Sequence, residues 1–93
     1  MTKPEFRVWW IPQVPMKSFK VKVDNRAEGT KLLGILADYD QFQFDNCVKP
    51  DYCNAGGISM RHPEITEGEW WDVDDQSEWD ALLEEFPELA DFA

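Results

Sequence analysis

Residues 68–86, GEWWDVDDQSEWDALLEEF, set three tryptophans among eight carboxylates with no Lys, Arg or His to neutralise them. Clustered carboxylates suit a hard cation, and Asp72 and Asp74 fall at the first and third ligand positions of a calcium loop. The match then breaks: Gln76 occupies the fifth position, Ser77 stands where the sharp turn needs glycine, and Leu83 replaces the bidentate glutamate. Zinc fares no better, because one histidine (His62) and two cysteines (Cys47 and Cys53) do not complete a set of four ligands. No metal and no cofactor is expected.

Nucleophilic or acid–base chemistry needs a positioned pair of groups. His62 lies in MRHPE, ahead of a proline, and reads as a solvated loop residue at a strand end. Cys47 and Cys53 read as free thiols of a reducing compartment, since a lone C-x5-C pair makes no disulfide framework. The Gly56-Gly57 pair lacks the Lys and Ser/Thr of a phosphate loop and reads as a turn. PQVP, at 12–15, satisfies P-x-x-P formally but sits where a rigid connector is needed. These patterns point away from an enzyme.

Charge is segregated along the chain. Residues 1–31 carry seven bases against three acids and residues 32–93 two bases against sixteen acids, +4 against −14 within a net −10. Such an excess repels phosphate backbones and anionic bilayers at long range, so sequence-independent nucleic-acid or membrane binding is disfavoured and a basic partner is favoured. The apolar runs VWWI and LLGILA are too short to span a bilayer, and MTKPEF lacks a signal-peptide core.

The elements that must position these residues follow from periodicity. EFRVWWI (5–11) and SFKVKV (18–23) alternate with period two, as half-buried strands do, and the prolines between them mark a loop. Asp24 or Asn25 can cap a helix from about residue 27 to 39 with Leu32, Ile35, Leu36 and Tyr39 on one stripe. DQFQFDN either extends that helix or opens a strand. ISMRH then reads as a third strand, EWWDV (69–73) as a fourth, and Ser77 with Asp80 as the start of a second helix carrying Trp79, Leu82, Leu83 and Phe86 toward Pro87. The expected product is one α+β domain over residues 1–93, a four-stranded antiparallel sheet in ββαββα order, with an acidic C-terminal segment at 64–93.

Neighbouring residues on a strand point to opposite faces, so each WW pair must be split. Trp10 belongs with Phe6 and Val8 in the core, and Trp71 with Val73. Trp9 and Trp70 then share the second face with Arg7, Lys20, Lys22, Asp72 and Asp74. The candidate partner-binding residues are Trp9, Trp70, Asp72, Asp74, Asp75, Glu78, Asp80, Glu84 and Glu85. One alternative is a single-stranded nucleic-acid sheet with Trp9 stacking on bases and Lys20 and Lys22 on phosphates, opposed by the acidic segment. Another is a structural, self-associating domain.

WWIPQVPMKSF, LADYDQFQFDN and KPDYCNAGGISM together resemble, over residues 6–60, a family of small tailed-phage proteins concerned with superinfection exclusion. The resemblance implies a cytoplasmic, non-enzymatic accessory protein that lets a phage contend with a resident prophage or host defence. With the charge, it leads to an acidic protein that occupies a basic host or prophage protein surface.

Because the ligand pattern fails at Gln76, Ser77 and Leu83, adding calcium, zinc or a chelator should leave the melting temperature unchanged. A metal-dependent rise of several degrees, read by circular dichroism, would contradict this.

Overall fold

The computed structural model describes residues 3–12, 17–46 and 54–93. Cys47 and Cys53, with the thiol reading placed on them, lie outside the described residues, as does most of PQVP. The elements run β1 (Glu5–Ile11), β2 (Phe19–Val23), α1 (Arg26–Asp45), β3 (Ala55–Arg61), β4 (Trp71–Asp72), α2 (Gln76–Glu85) and a short 3-10 helix, Pro87–Phe92. The sheet is antiparallel in the order β2-β1-β3-β4, an α+β architecture with the expected ββαββα succession.

β1 is the axis of this sheet. Phe6 opposes Val23 and Met60, Val8 opposes Val21 and Ile58, and Trp10 opposes Phe19 and Gly56, so one face is apolar throughout. Both helices and the 3-10 segment cover that face. Phe6, Val8, Ile58, Met60, Val73, Trp79 and Leu89 form the core, with Leu32, Leu33, Leu36, Leu82 and Phe86 packed against it. Trp79 meets Phe6 edge-on at 6.1 Å, and Phe92 stacks on the same ring at 6.1 Å. The acidic C-terminal segment thus supplies core residues, which its composition concealed.

Gly56 and Gly57 are strand positions, not a turn. A Cβ on Gly56 would overlap the Trp10 ring on the core face, and one on Gly57 would come within 2.8 Å of Trp9 Nε1 on the other face. Each indole of the first WW pair therefore rests on a glycine of β3, and the missing side chains are what admit them.

Asn25 caps α1 by accepting the Glu28 N–H at 2.8 Å. The helix continues through DQFQFDN to Asp45. Its inward stripe is rotated from the expected one: Leu32, Leu36 and Asp40 turn inward, whereas Ile35, Tyr39 and Phe42 are exposed. Asn54 donates to the buried Asp40 carboxylate, tying α1 to the start of β3. α2 begins earlier than expected, because Asp75 and not Ser77 is its cap.

Two further expectations are corrected. Trp71 opposes Met60 and so occupies the core-side face, as its alternation requires, yet it is 43% exposed. β4 is a two-residue edge strand, and among the described residues no further strand lies beyond it to close over the indole. His62 is fully buried, not solvated: its Nδ1 accepts the N–H groups of Glu64 and Ile65 at 3.1 and 3.3 Å, and its carbonyl accepts those of Thr66 and Gly68. It organises the turn that leads from β3 to β4.

Substituting Trp10 or Trp79 by Ala should cost ~3–5 kcal/mol in chemical denaturation, and Trp71→Ala clearly less. Gly56→Ala, which forces Trp10 aside, should cost ~1–3 kcal/mol.

Candidate functional site

The structure separates the candidate residues into two groups on different surfaces. The carboxylates gather around α2, while Trp9 and Trp70 lie on the sheet face that no described helix covers.

The acidic surface begins at the turn before α2. Asp75 accepts from the Ser77 hydroxyl at 2.6 Å and from the N–H groups of Ser77 and Glu78 at 2.9 and 3.2 Å. These bonds, the Ser77 hydroxyl foremost, hold its carboxyl below the ordinary 3.8, and Arg26 adds a smaller pull in the same direction. Arg26 fixes the turn itself: its Nε donates to the Val73 carbonyl at 2.7 Å, and its other nitrogens donate to the Asp74 carbonyl and the Gln76 side chain at 3.1 Å. The guanidinium thereby spends its donors on neutral oxygens, leaving the Asp74 carboxylate outside its hydrogen bonds.

Asp74, Glu78, Asp80, Glu84 and Glu85 are exposed, and among the described residues none of them is in an ion pair. Gln76 donates to Asp80 at 2.9 Å, which orients that carboxylate without neutralising it. Trp71, Asp72 and Glu78 line an open cleft of about 280 Å³ with Ala81, Leu82 and Glu85. An exposed indole bordered by the Glu78 and Glu85 carboxylates is suited to a cationic side chain, since ring face and charge both attract it. Trp71 was missed from sequence because alternation assigned it to the core, and chain order does not say which strand lies at an edge.

On the uncovered face Trp9 rests over Gly57 and is half-buried. Trp70 packs against two guanidinium groups, Arg7 at 4.0 Å and Arg61 at 4.7 Å from its ring centroid. Arg61 also pairs with Glu5 at 2.7 Å. Asp72 accepts a hydrogen bond from Ser59 at 3.1 Å and is the candidate carboxylate that opens toward this side. Arg61 went unnoticed in the sequence, although its two-residue spacing from Ser59 places it on the same face.

Among the described residues no three His, Asp or Glu side chains converge as a metal site. His62 is buried within its own turn, and the carboxyl shift at Asp75 runs opposite to the rise that a general acid requires. No described helix is long and apolar enough to cross a membrane.

The family model described as superinfection exclusion gene product 17 matches residues 5–92. The superinfection exclusion protein of Salmonella phage P22 is 48% identical over 75 residues, covering 81% of this chain and 73% of the relative. No solved structure matches. The chain belongs to the superinfection exclusion gene product 17 family, and the match runs beyond the loop strings of residues 6–60 into the acidic helix and the 3-10 segment.

Asp75 provides a pH signature. Its depressed carboxyl contributes stability that is present above 3.8 and lost as the pH falls through the lower folded value. Asp75→Asn should therefore melt below the parent chain near about pH 6, and the difference should close as the pH drops below 3.8. A gap that persists in acid would show that the cap acts through geometry alone.

Proposed function

We propose that this member of a superinfection exclusion family works without catalysis, by binding a basic surface of a host or prophage protein. One observation carries the reading: the carboxylates along α2 and its leading turn are exposed and un-neutralised beside the exposed Trp71. Maintaining a field of like charge on a small domain opposes its own folding by self-repulsion. A partner that supplies the opposite charge relieves that repulsion and gains the apolar contact of the indole.

The chemistry of recognition follows from the two parts. Asp74, Glu78, Asp80, Glu84 and Glu85 steer a positively charged partner over distance, raising the association rate more than the final affinity. Trp71 and Leu82 give the contact a desolvated centre, where aromatic anchors contribute most. Asp75 has a structural duty as the α2 cap, so its loss should affect folding before recognition. The name borne by the P22 relative supports a role in superinfection exclusion, which on this reading is exerted in the host cytoplasm.

The test begins with capture of the partner from host lysate at low salt and its identification. Association kinetics then follow with Asp74, Glu78, Asp80, Glu84 and Glu85 changed in pairs to Asn or Gln. Each pair should slow association by a further step, and the loss should shrink as the Debye length falls from ~10 Å at 0.1 M salt toward ~3 Å at 1 M. Kinetics indifferent to both salt and substitution would remove the role of charge and leave Trp71 as the contact.

A further inference from the structure

The uncovered sheet face carries the opposite sign to the molecule as a whole. Row by row across β2, β1 and β3, Lys22 lies beside Arg7 and Ser59, and Lys20 lies beside Trp9 and Gly57; Arg61 lies beside Glu5 on the next row. Nineteen acids are present in the chain, yet among the described residues none is within ion-pair distance of Arg7, Lys20 or Lys22. Lys20 reaches only the Ser18 hydroxyl, at 2.7 Å. The Arg7 Nε is closed off from solvent without a hydrogen-bond partner. In a chain so rich in carboxylates, cations left without one on a single face mark where an external anion is accommodated.

We infer that this face, with Trp9, Arg7, Lys20 and Lys22, binds single-stranded nucleic acid. Trp70 is already packed by Arg7 and Arg61, so the ring that accompanies the cations is Trp9, and the ligand that uses ring and charge together is one with planar aromatic groups strung on an anionic backbone. An acidic protein segment would match the charge and leave the Trp9 ring without a stacking partner. From Lys20 and Lys22 on the β2 edge to the β4 edge beside Trp70 is three strand spacings, about 14 Å, enough for a few nucleotides laid across the sheet. A shallow pocket of about 190 Å³ lined by Glu5, Arg7, Lys20, Val21, Lys22, Arg61 and Trp70 gives a backbone phosphate a seat at its Lys20–Lys22–Arg7 end, the Glu5 carboxylate being held at the other end by Arg61. Gly57 keeps the sheet low under Trp9, so the indole lies against the strand instead of being lifted by a side chain.

The net −10 opposes a polyanion at long range, and the fold reduces that opposition locally. The α2 carboxylates belong to the helical layer on the far side of the sheet. A helix and a sheet together place them farther away than the Debye length of about 8 Å at physiological salt. On the face itself Glu5 is engaged by Arg61 and Asp72 by Ser59, which leaves the β2–β1 side cationic. The site is separate from the acidic surface and does not depend on the function proposed for it.

The experiment is a titration of the intact chain's tryptophan fluorescence with an oligothymidylate of about 15 nucleotides at low salt, beside a duplex and a poly-glutamate of similar charge. The expected result is saturable quenching by the single strand. Three cations at roughly 0.7 each predict a slope of log affinity against log salt of about −2. Lys20→Gln with Lys22→Gln, both exposed and remote from the core, should flatten that slope. Trp9→Leu should weaken binding about fivefold to a hundredfold, the range of one lost base stack, with melting curves confirming the fold. Absence of quenching overturns the inference. So does poly-glutamate binding as tightly as the strand, which would assign the face to an acidic protein, or duplex binding as tightly as the strand, which would leave the Trp9 ring without a role. Quenching and its salt slope are read on the unmodified chain, so the outcome does not rest on any variant folding.

Discussion

The central strand β1 hydrogen-bonds along both of its edges, and its strict alternation of side chains divides the molecule in two. Phe6, Val8 and Trp10 point to the helices; Arg7 and Trp9 point away from them. With period two there is no intermediate state: a slip by one residue would send Phe6 and Trp10 to water and Arg7 into the core. The two glycines of β3 hold the register in place, because each receives one indole of the WW pair on its own side of the sheet. Core packing and the character of the uncovered face thus depend on a single pairing.

Charge follows the same division. The basic N-terminal third of the chain contributes β1 and β2, whose outward residues are cationic, while the acidic remainder contributes α2 on the opposite layer. Sequence segregation has become spatial segregation. This arrangement lowers the cost of carrying so many carboxylates, since they face solvent, where a dielectric near that of water weakens their mutual repulsion. It also permits two surfaces of opposite sign on a very small domain, one marked by Trp71 among carboxylates and one by Trp9 and Trp70 among cations.

What binds the acidic segment to the fold is apolar. Trp79, Leu89 and Phe92 enter the core around Phe6, and Ala27 donates its N–H to the Ala93 carbonyl at 3.3 Å. Arg26 locks the turn before α2 through carbonyl oxygens. The acidic helix is therefore presented rigidly, anchored by apolar contacts, and its carboxylates are left to solvent and to whatever approaches from it.

Alternation in β1 and β2, a cap at Asp24 or Asn25 and the helical spacing of Trp79, Leu82 and Leu83 are properties of local chemistry, and the sequence alone determined them together with the α+β succession and the excess of acid; the fold chose Asn25 as the cap. The loop strings also carried the family. Tertiary structure alone decided the rest. Trp71 takes the face its alternation demands but stays exposed, because burial needs a neighbour and β4 is a two-residue edge. Gly56-Gly57 has the composition of a turn and serves as a bed for two rings, a role visible only once β1 lies beside it. His62 is buried because Thr66 and the backbone of its own turn satisfy it, a closure that no spacing announces. Arg61 and Arg7 meet at Trp70 from positions 54 apart in the chain, and period two can state which way each points but not that they share one ring. Local pattern sets direction along an element; only packing between elements sets which directions are filled.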